Sequence, residues 1–160
     1  MIETTLPAML AMDQISMAGS LVIAAILGSL LGIERSIAGK RAGMRTYALV
    51  SLGSCLFVLL GTIASSALLS VFPGVNPLQI AGSVVIGIGF IGSGLVALNG
   101  DKHVELTTAS GIWVVAGIGM ACGFGLYLLA GVTTVLAATI LSLVLRVENA
   151  ARKRLGTTTE

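Results

Sequence analysis

The segment from Gly28 to Thr46 reads GSLLGIERSIAGKRAGMRT and joins the end of one long apolar run to the start of another. The first run covers nineteen residues from Ile15 to Ile33, and the second begins at Thr46. Nineteen residues of α-helix extend about 28 Å, close to the roughly 30 Å thickness of the hydrocarbon core of a bilayer. The segment therefore predicts two transmembrane helices joined by a short charged loop.

The composition of the whole chain agrees with this prediction. Of its 160 residues, 56% are hydrophobic and 10% are charged, and the mean hydropathy is +1.03. A soluble domain has about 25% charged residues, so we predict an all-α, polytopic membrane helix bundle that contacts the lipid bilayer. The net charge of +2 is small and the basic residues fall in loops, so no nucleic-acid partner is predicted.

Apolar runs and turns divide the chain into three parts. Residues 1–14 are predicted to form an N-terminal segment outside the cytoplasm, residues 15–147 a single transmembrane domain, and residues 148–160 a basic cytoplasmic tail. The last two spans come from one uncharged run, Leu106 to Leu145, which is too long for a single crossing. The five predicted spans are residues 15–33, 46–72, 78–98, 106–122 and 126–145.

Lysine and arginine residues set the predicted orientation. They surround the first loop and occur in the third loop and the tail, whereas the N-terminus and the second and fourth loops contain none. Five spans with the N-terminus outside and the C-terminus in the cytoplasm place all of them on the cytoplasmic side, as the positive-inside rule requires. Lys40 and Arg41 are expected to set this topology and to reach lipid headgroups. Tyr47 and Tyr127 are expected at the membrane interfaces.

Glu34 needs a different explanation, because the positive-inside rule gives no reason for an acid at the end of a membrane helix. Ionisable groups at membrane depth are paired or hydrated, so Glu34 is expected to be held by Arg45 or by Arg35. Thr107 and Thr108 either close this cluster or cap the free N–H groups of the fourth helix. The predicted site is a polar cluster at the cytoplasmic mouth of the bundle, with the members Glu34, Arg35, Arg45, Thr46, Thr107 and Thr108.

Glycines recur within the spans. The pattern VVxGIG occurs at residues 84–89 and again at 114–119, near the middle of the third and fourth spans. Small residues at equal depth would let these two helix backbones touch. Alternatively, glycine-rich helices expose carbonyl groups to an ion or a substrate. The glycines assigned to helix packing or to a pathway are Gly28, Gly32, Gly87, Gly89, Gly92, Gly94, Gly117 and Gly119.

The residue types argue against catalysis. The single histidine, His103, lies in a loop between Asp101 and Glu105, and no Asp, Glu or His lies within a predicted span. Cys55 and Cys122 lie in apolar runs and are expected to be buried thiols. The sequence offers no nucleophile–base pair and no tetrahedral metal site, so no catalytic residue, metal site or cofactor is predicted.

Four segments together resemble the MgtC/SapB family of bacterial membrane proteins. They are Gly28–Arg35 (GSLLGIER), Ala42–Thr46 (AGMRT), Gly87–Gly94 (GIGFIGSG) and Leu106–Trp113 (LTTASGIW). The resemblance implies a multi-pass protein of the bacterial inner membrane, associated with magnesium limitation and, in pathogens, with survival inside host cells. It also implies that the chain corresponds to the membrane domain, without the cytoplasmic C-terminal domain of the virulence-associated members.

Besides a purely structural membrane scaffold, two functions are compatible with the sequence. The first is a non-enzymatic protein that serves adaptation to magnesium limitation or regulates other membrane proteins, among which the resemblance suggests the ATP synthase. The second is a small ion or solute transporter or channel that uses the glycine-rich third and fourth helices. A bundle of five spans is thin, so we also expect a homo-oligomer that buries more of the glycine faces.

Overall fold

The computed structural model describes residues 5–68, 76–97 and 106–144, and within these ranges every regular element is helical. The helices are α1 (Thr5–Ile37), α2 (Met44–Leu68), α3 (Pro77–Ala97), α4 (Leu106–Gly123) and α5 (Tyr127–Thr139), and a π-helical turn (Ile140–Val144) follows α5 directly. The prediction of an all-α helix bundle is confirmed.

Within the described part of the chain, four helices contain segments that are long and apolar enough to cross a membrane. These are Gln14–Ile37, Met44–Ser65, Leu78–Val96 and Leu106–Gly123. The fifth apolar segment, Tyr127–Leu143, is shorter and ends in the π-helical turn. It is close to the lower limit of about 17 residues for a transmembrane helix.

The first helix is longer than predicted at both ends. It begins at Thr5, not at residue 15, and Pro7 lies in its first turn, where proline is tolerated. At the other end it continues past Ile33 to Ile37 and is followed by a turn at Gly39, which has a φ of +66°. The amide of Lys40 donates to the Arg35 carbonyl at 3.0 Å and that of Gly39 to the Ser36 carbonyl at 3.1 Å. Glu34 and Arg35 therefore lie in the last turn of α1 and not in a loop.

The other boundaries differ by smaller amounts. Helix α2 begins two residues before the predicted residue 46, and its predicted end at residue 72 lies outside the described residues. Helices α3 and α4 agree with their predicted spans to within one residue at each end. Helix α5 begins one residue late, and its α-helical hydrogen bonding changes to π-helical at Ile140.

Contacts between the helices show that successive helices alternate in direction. Gly28 and Gly32 of α1 pack against the start of α2, with Gly32 nearer to Met44 and Gly28 nearer to Ser51, so α1 and α2 are antiparallel. Helices α1 and α5 are parallel, because the Ser20 and Tyr127 hydroxyls lie 2.7 Å apart near one end and Arg35 contacts Leu141 near the other. We call the end that holds the α1–α2 loop and the start of α4 the charged end.

Helix α4 lies at the centre of the bundle and contacts all four other helices. Its buried side includes Ile112, Val115 and Ile118, which pack with residues of α1 and α2 in the core. Helix α3 is the most exposed of the four long apolar helices, and Phe90 on its outer face is 82% exposed. Most core residues therefore come from α1, α2 and α4, while α3 contributes Val84 and Ile88 and α5 contributes Ala130.

Candidate functional site

The strongest polar interaction in the described residues joins Glu34 and Arg35. The Arg35 Nε donates to Glu34 Oε2 at 2.5 Å and its Nη2 donates to Oε1 at 2.8 Å, which is a bidentate ion pair. The Arg35 side chain is 1% exposed and that of Glu34 is 22% exposed. A buried guanidinium without its carboxylate would be strongly destabilising, so Glu34 neutralises a cation that α1 places inside the protein.

The same guanidinium also reaches the end of α5. Arg35 Nη2 donates to the backbone carbonyl of Leu141 at 3.4 Å, a longer and weaker hydrogen bond than the two to Glu34. Leu141 lies in the π-helical turn, where the change from i→i+4 to i→i+5 bonding redirects carbonyl groups. Sequence analysis missed this turn, because nothing in its composition distinguishes it from an α-helix.

Tyr47 lies in the interior and not at the membrane interface, where we expected it. Its side chain is fully buried, and its hydroxyl donates to the backbone carbonyl of Thr108 at 3.3 Å. Gly111, one turn further along α4, leaves the space for this hydroxyl, since a Cβ there would collide with it. Sequence analysis therefore did not identify Tyr47 as part of the polar region at the charged end.

The two threonines at the start of α4 have different surroundings. Thr107 is exposed, whereas Thr108 is fully buried and its Oγ1 has no hydrogen-bond partner among the described residues. Thr108 therefore does not cap an N–H group of α4. Its backbone carbonyl instead accepts a hydrogen bond from the Tyr47 hydroxyl, which links α4 to α2 at the charged end.

Arg45 and Thr46 lie in the first turn of α2 and face the α1–α2 loop. The Arg45 side chain is exposed, and within the described part of the chain Glu34 forms its ion pair with Arg35 and not with Arg45. The structure thus separates the predicted polar cluster into an internal pair, Glu34 with Arg35, and a loop region that contains Arg45 and Thr46. The latter two line a cavity of about 400 Å³.

The predicted glycines fall into two groups. Gly28, Gly32 and Gly119 lie against neighbouring backbones: a Cβ at Gly28 would come within 2.6 Å of the Tyr47 carbonyl oxygen, and one at Gly119 would collide with the Ser51 carbonyl oxygen. By contrast, a Cβ at Gly87, Gly89, Gly94 or Gly117 would meet no described atom within 4 Å, and one at Gly92 would meet only the Ala109 Cβ, at 3.7 Å.

The expected backbone contact between α3 and α4 at the two VVxGIG patterns is therefore not found among the described residues. Gly117 and Gly119 are two positions apart, so they lie on different sides of α4, and Gly119 faces α2 instead of α3. Sequence analysis missed Gly111 and Gly123, which also approach α2 closely. The GxxxG spacing of Gly28 and Gly32 was the better indicator of close helix packing.

Two of the cavities that the described residues form are apolar and lie between the helices. One, of about 610 Å³, separates α2 from α3 and is lined by Phe57, Gly87 and Phe90, among others. The other, of about 340 Å³, lies between α3, α4 and α5, where Trp113, Gly117 and Thr133 contribute to its wall. Both walls are almost entirely hydrocarbon, so they suit lipid chains or apolar side chains better than ions.

The described residues bring together no group of three or more side chains that could hold a metal ion. His103, with Asp101 and Glu105, lies outside the described residues. Cys55 and Cys122 are buried free thiols, as expected for cysteines in apolar runs.

These features define a multi-pass membrane protein whose helices pack through glycines and enclose a buried ion pair. The chain belongs to the MgtC family, whose model matches residues 21–150. Among curated proteins it is 44% identical to "Putative magnesium transporter YhiD" of Escherichia coli K12 over 108 residues, 67% of this chain and 50% of that protein. It is 38% identical to "Protein MgtC" of Salmonella typhimurium LT2 over 124 residues, 78% of this chain and 48% of that protein.

A third relative, "Protein MgtC" of Brucella abortus, is 36% identical over 118 residues, 74% of this chain and 47% of that protein. The chain thus matches about half the length of each of these relatives. No solved structure matches it.

Proposed function

We propose that this protein is a non-enzymatic component of the bacterial inner membrane that serves adaptation to magnesium limitation by contacting other membrane proteins. Membership of the MgtC family and the name of the Escherichia coli relative support the link to magnesium. In this proposal the charged end faces the cytoplasm, because it carries Lys40, Arg41 and Arg45.

The observation that carries the proposal is the outer face of α3. Phe90 projects from it, and Gly87 lies in the floor of the 610 Å³ groove between α2 and α3 with no described atom near its Cβ position. In a bilayer, helices associate where small residues let backbones approach, since lipid removes the hydrophobic driving force between helices. A transmembrane helix of a partner protein would fit this groove, whereas the interior formed by α1, α2 and α4 is closely packed.

The proposal is tested by deleting the gene and growing the strain across a magnesium series while membrane potential and cellular ATP are recorded. We expect a growth defect at low magnesium with changed ATP, which would also point to the ATP synthase as a partner. Gly87→Leu should fill the groove and fail to complement. Gly94→Leu, on the same helix but outside the groove, should complement. Normal growth of the deletion strain at every magnesium concentration would contradict the proposal.

A small transporter is the second candidate. The 340 Å³ cavity between α3, α4 and α5 and the name of the Escherichia coli relative favour it. Against it, Mg²⁺ binds carboxylates and keeps several of its waters, and the described wall of this cavity offers Thr133 as its one hydroxyl. Magnesium flux into liposomes that Gly117→Leu abolishes would establish transport instead of regulation.

A further inference from the structure

The α1–α2 loop and the start of α2 line an open surface cavity of about 400 Å³, which differs from the apolar cavities in the residues around it. It lies at the charged end, where α1 stops and α2 begins. Its volume is within the range of roughly 300–1,000 Å³ that is typical of small-molecule sites. The residues that line it are Ser36, Lys40, Arg41, Gly43, Met44, Arg45 and Thr46.

Three cationic side chains surround this cavity without a described acid to balance them. Lys40, Arg41 and Arg45 all line it. Among residues whose side chains the structure describes, Glu34 is the sole carboxylate, and both of its oxygens bind Arg35. Two like charges at 4 Å repel each other by about 1 kcal/mol even in water, and by more near a protein surface. An anion bound between these side chains would attract each of them and so offset their mutual repulsion.

Backbone donors at the same cavity add to the positive potential. The amide of Met44 donates to Ser36 Oγ at 3.0 Å, and the first helical bond of α2 runs from the Tyr47 amide to the Gly43 carbonyl at 3.1 Å. The amides of Arg45 and Thr46 lie between these two and have no helical acceptor, because they belong to the first turn of a 25-residue helix. Such groups, together with the helix dipole, favour an anion.

The loop that carries the cations is held in a fixed conformation. The Lys40 amide is bonded to the Arg35 carbonyl, and the Ser36 hydroxyl connects the end of α1 to the start of α2. Two hydrogen bonds, one between backbone groups and one from the Met44 amide to the Ser36 side chain, thus hold the two ends of the loop. A site of this kind loses less conformational entropy on binding than a flexible loop would.

We propose that this cavity binds a phosphate group, with Lys40, Arg41 and Arg45 as its cationic ligands and the amides at the start of α2 as neutral donors. Arginine suits phosphate because its planar fork forms two parallel hydrogen bonds to it. The phosphate belongs either to the headgroup of an anionic phospholipid, since the loop joins two membrane-spanning helices, or to a soluble phosphate compound. The proposal does not depend on the function proposed above.

The test uses the full chain purified in a neutral detergent. Binding of phosphatidylglycerol is measured by native mass spectrometry, with diacylglycerol as the phosphate-free comparison, and binding of inorganic phosphate and of ADP is measured by calorimetry. The test variant is Arg41→Gln combined with Arg45→Gln. The control is Arg152→Gln combined with Lys153→Gln, which removes the same charge from the C-terminal tail.

We expect at least one of the phosphate-bearing probes to bind, and the loop variant to weaken that binding at least tenfold while the tail variant changes it less than twofold. Binding of phosphatidylglycerol alone would assign a lipid headgroup, and binding of inorganic phosphate or ADP would assign a soluble ligand. Absence of binding for all three probes, or equal weakening by both variants, would overturn the proposal. If the double loop variant does not fold, Arg45→Gln and Arg152→Gln are compared by the same measure.

Discussion

The Nη2 atom of Arg35 lies 3.4 Å from the backbone carbonyl oxygen of Leu141, so the last turn of the first helix is bonded to the π-helical turn that ends the fifth. The same guanidinium is neutralised by Glu34 through two shorter bonds. One buried side chain therefore connects the first helix to the end of the fifth, and its positive charge is balanced by a single carboxylate.

Glu34→Gln should destabilise the protein more than any change at an exposed cation. It removes the charge that balances Arg35 while leaving Arg35 buried, and breaking a buried pair in this way costs about 3–5 kcal/mol. Unfolding by SDS in mixed micelles measures the change in free energy. Arg41→Gln, at an exposed position, should change stability by less than about 1 kcal/mol. Equal effects of the two substitutions would show that the pair does not stabilise the fold.

Gly119→Ala and Gly117→Ala should have opposite effects, although the two glycines are two residues apart on α4. A Cβ at Gly119 collides with the Ser51 carbonyl, which is backbone and moves only with α2, so we expect a loss of about 1–3 kcal/mol or more. A Cβ at Gly117 meets open space, and alanine should stabilise the helix there by about 0.5–1 kcal/mol. The same SDS titration compares them, and a stabilising Gly119→Ala would contradict the close approach of α2 and α4.

Gly111→Ala should be destabilising in a way that Tyr47→Phe partly reverses. The added Cβ collides with the Tyr47 hydroxyl, and phenylalanine removes that oxygen. Tyr47→Phe alone should cost about 1 kcal/mol through its bond to the Thr108 carbonyl. A double-mutant cycle measures the coupling, which we expect to exceed about 1 kcal/mol. Additive effects would mean that Tyr47 does not point at Gly111.

The hydroxyl pair Ser20 and Tyr127 should contribute a small but measurable coupling between α1 and α5. The two oxygens are 2.7 Å apart. Ser20→Ala and Tyr127→Phe, alone and combined, should give a coupling of about 0.6 kcal/mol, the average for hydrogen bonds between membrane helices. Ser110→Ala, whose hydroxyl bonds only within its own helix, serves as the control and should show no coupling to Tyr127→Phe.

The helices could be predicted from the sequence because the length of each apolar run shows where a helix can span the membrane. Apolar runs bounded by Gly, Pro or charged residues identified all five, and the spacing of Gly28 and Gly32 predicted a close helix approach that the structure contains. The pairing of Glu34 with a neighbouring arginine could also be predicted, since an acid at membrane depth needs a cation. The sequence did not decide between Arg35 and Arg45, and in the structure Glu34 pairs with Arg35.

The predictions that the structure does not support concern which face of a helix each residue occupies. Hydrophobicity is high on every side of these helices, so it does not distinguish the face toward lipid from the face toward the core. For that reason the inward position of Tyr47, the outward positions of Gly87 and Gly89, and the α2-facing side of Gly119 could not be predicted. The π-helical turn was missed because its residues, ILSLV, are as apolar as those of the α-helix before it.

The adjacency of Glu34 and Arg35 also bears on how the protein is made. The two residues are consecutive in the chain, so their pairing requires no other segment of the protein. Leu141 lies 106 residues further along the chain and is synthesised last among the groups that bind Arg35. The charge of Arg35 can thus be balanced before the fifth helix is in place, and that helix then adds a hydrogen bond to a guanidinium that is already paired.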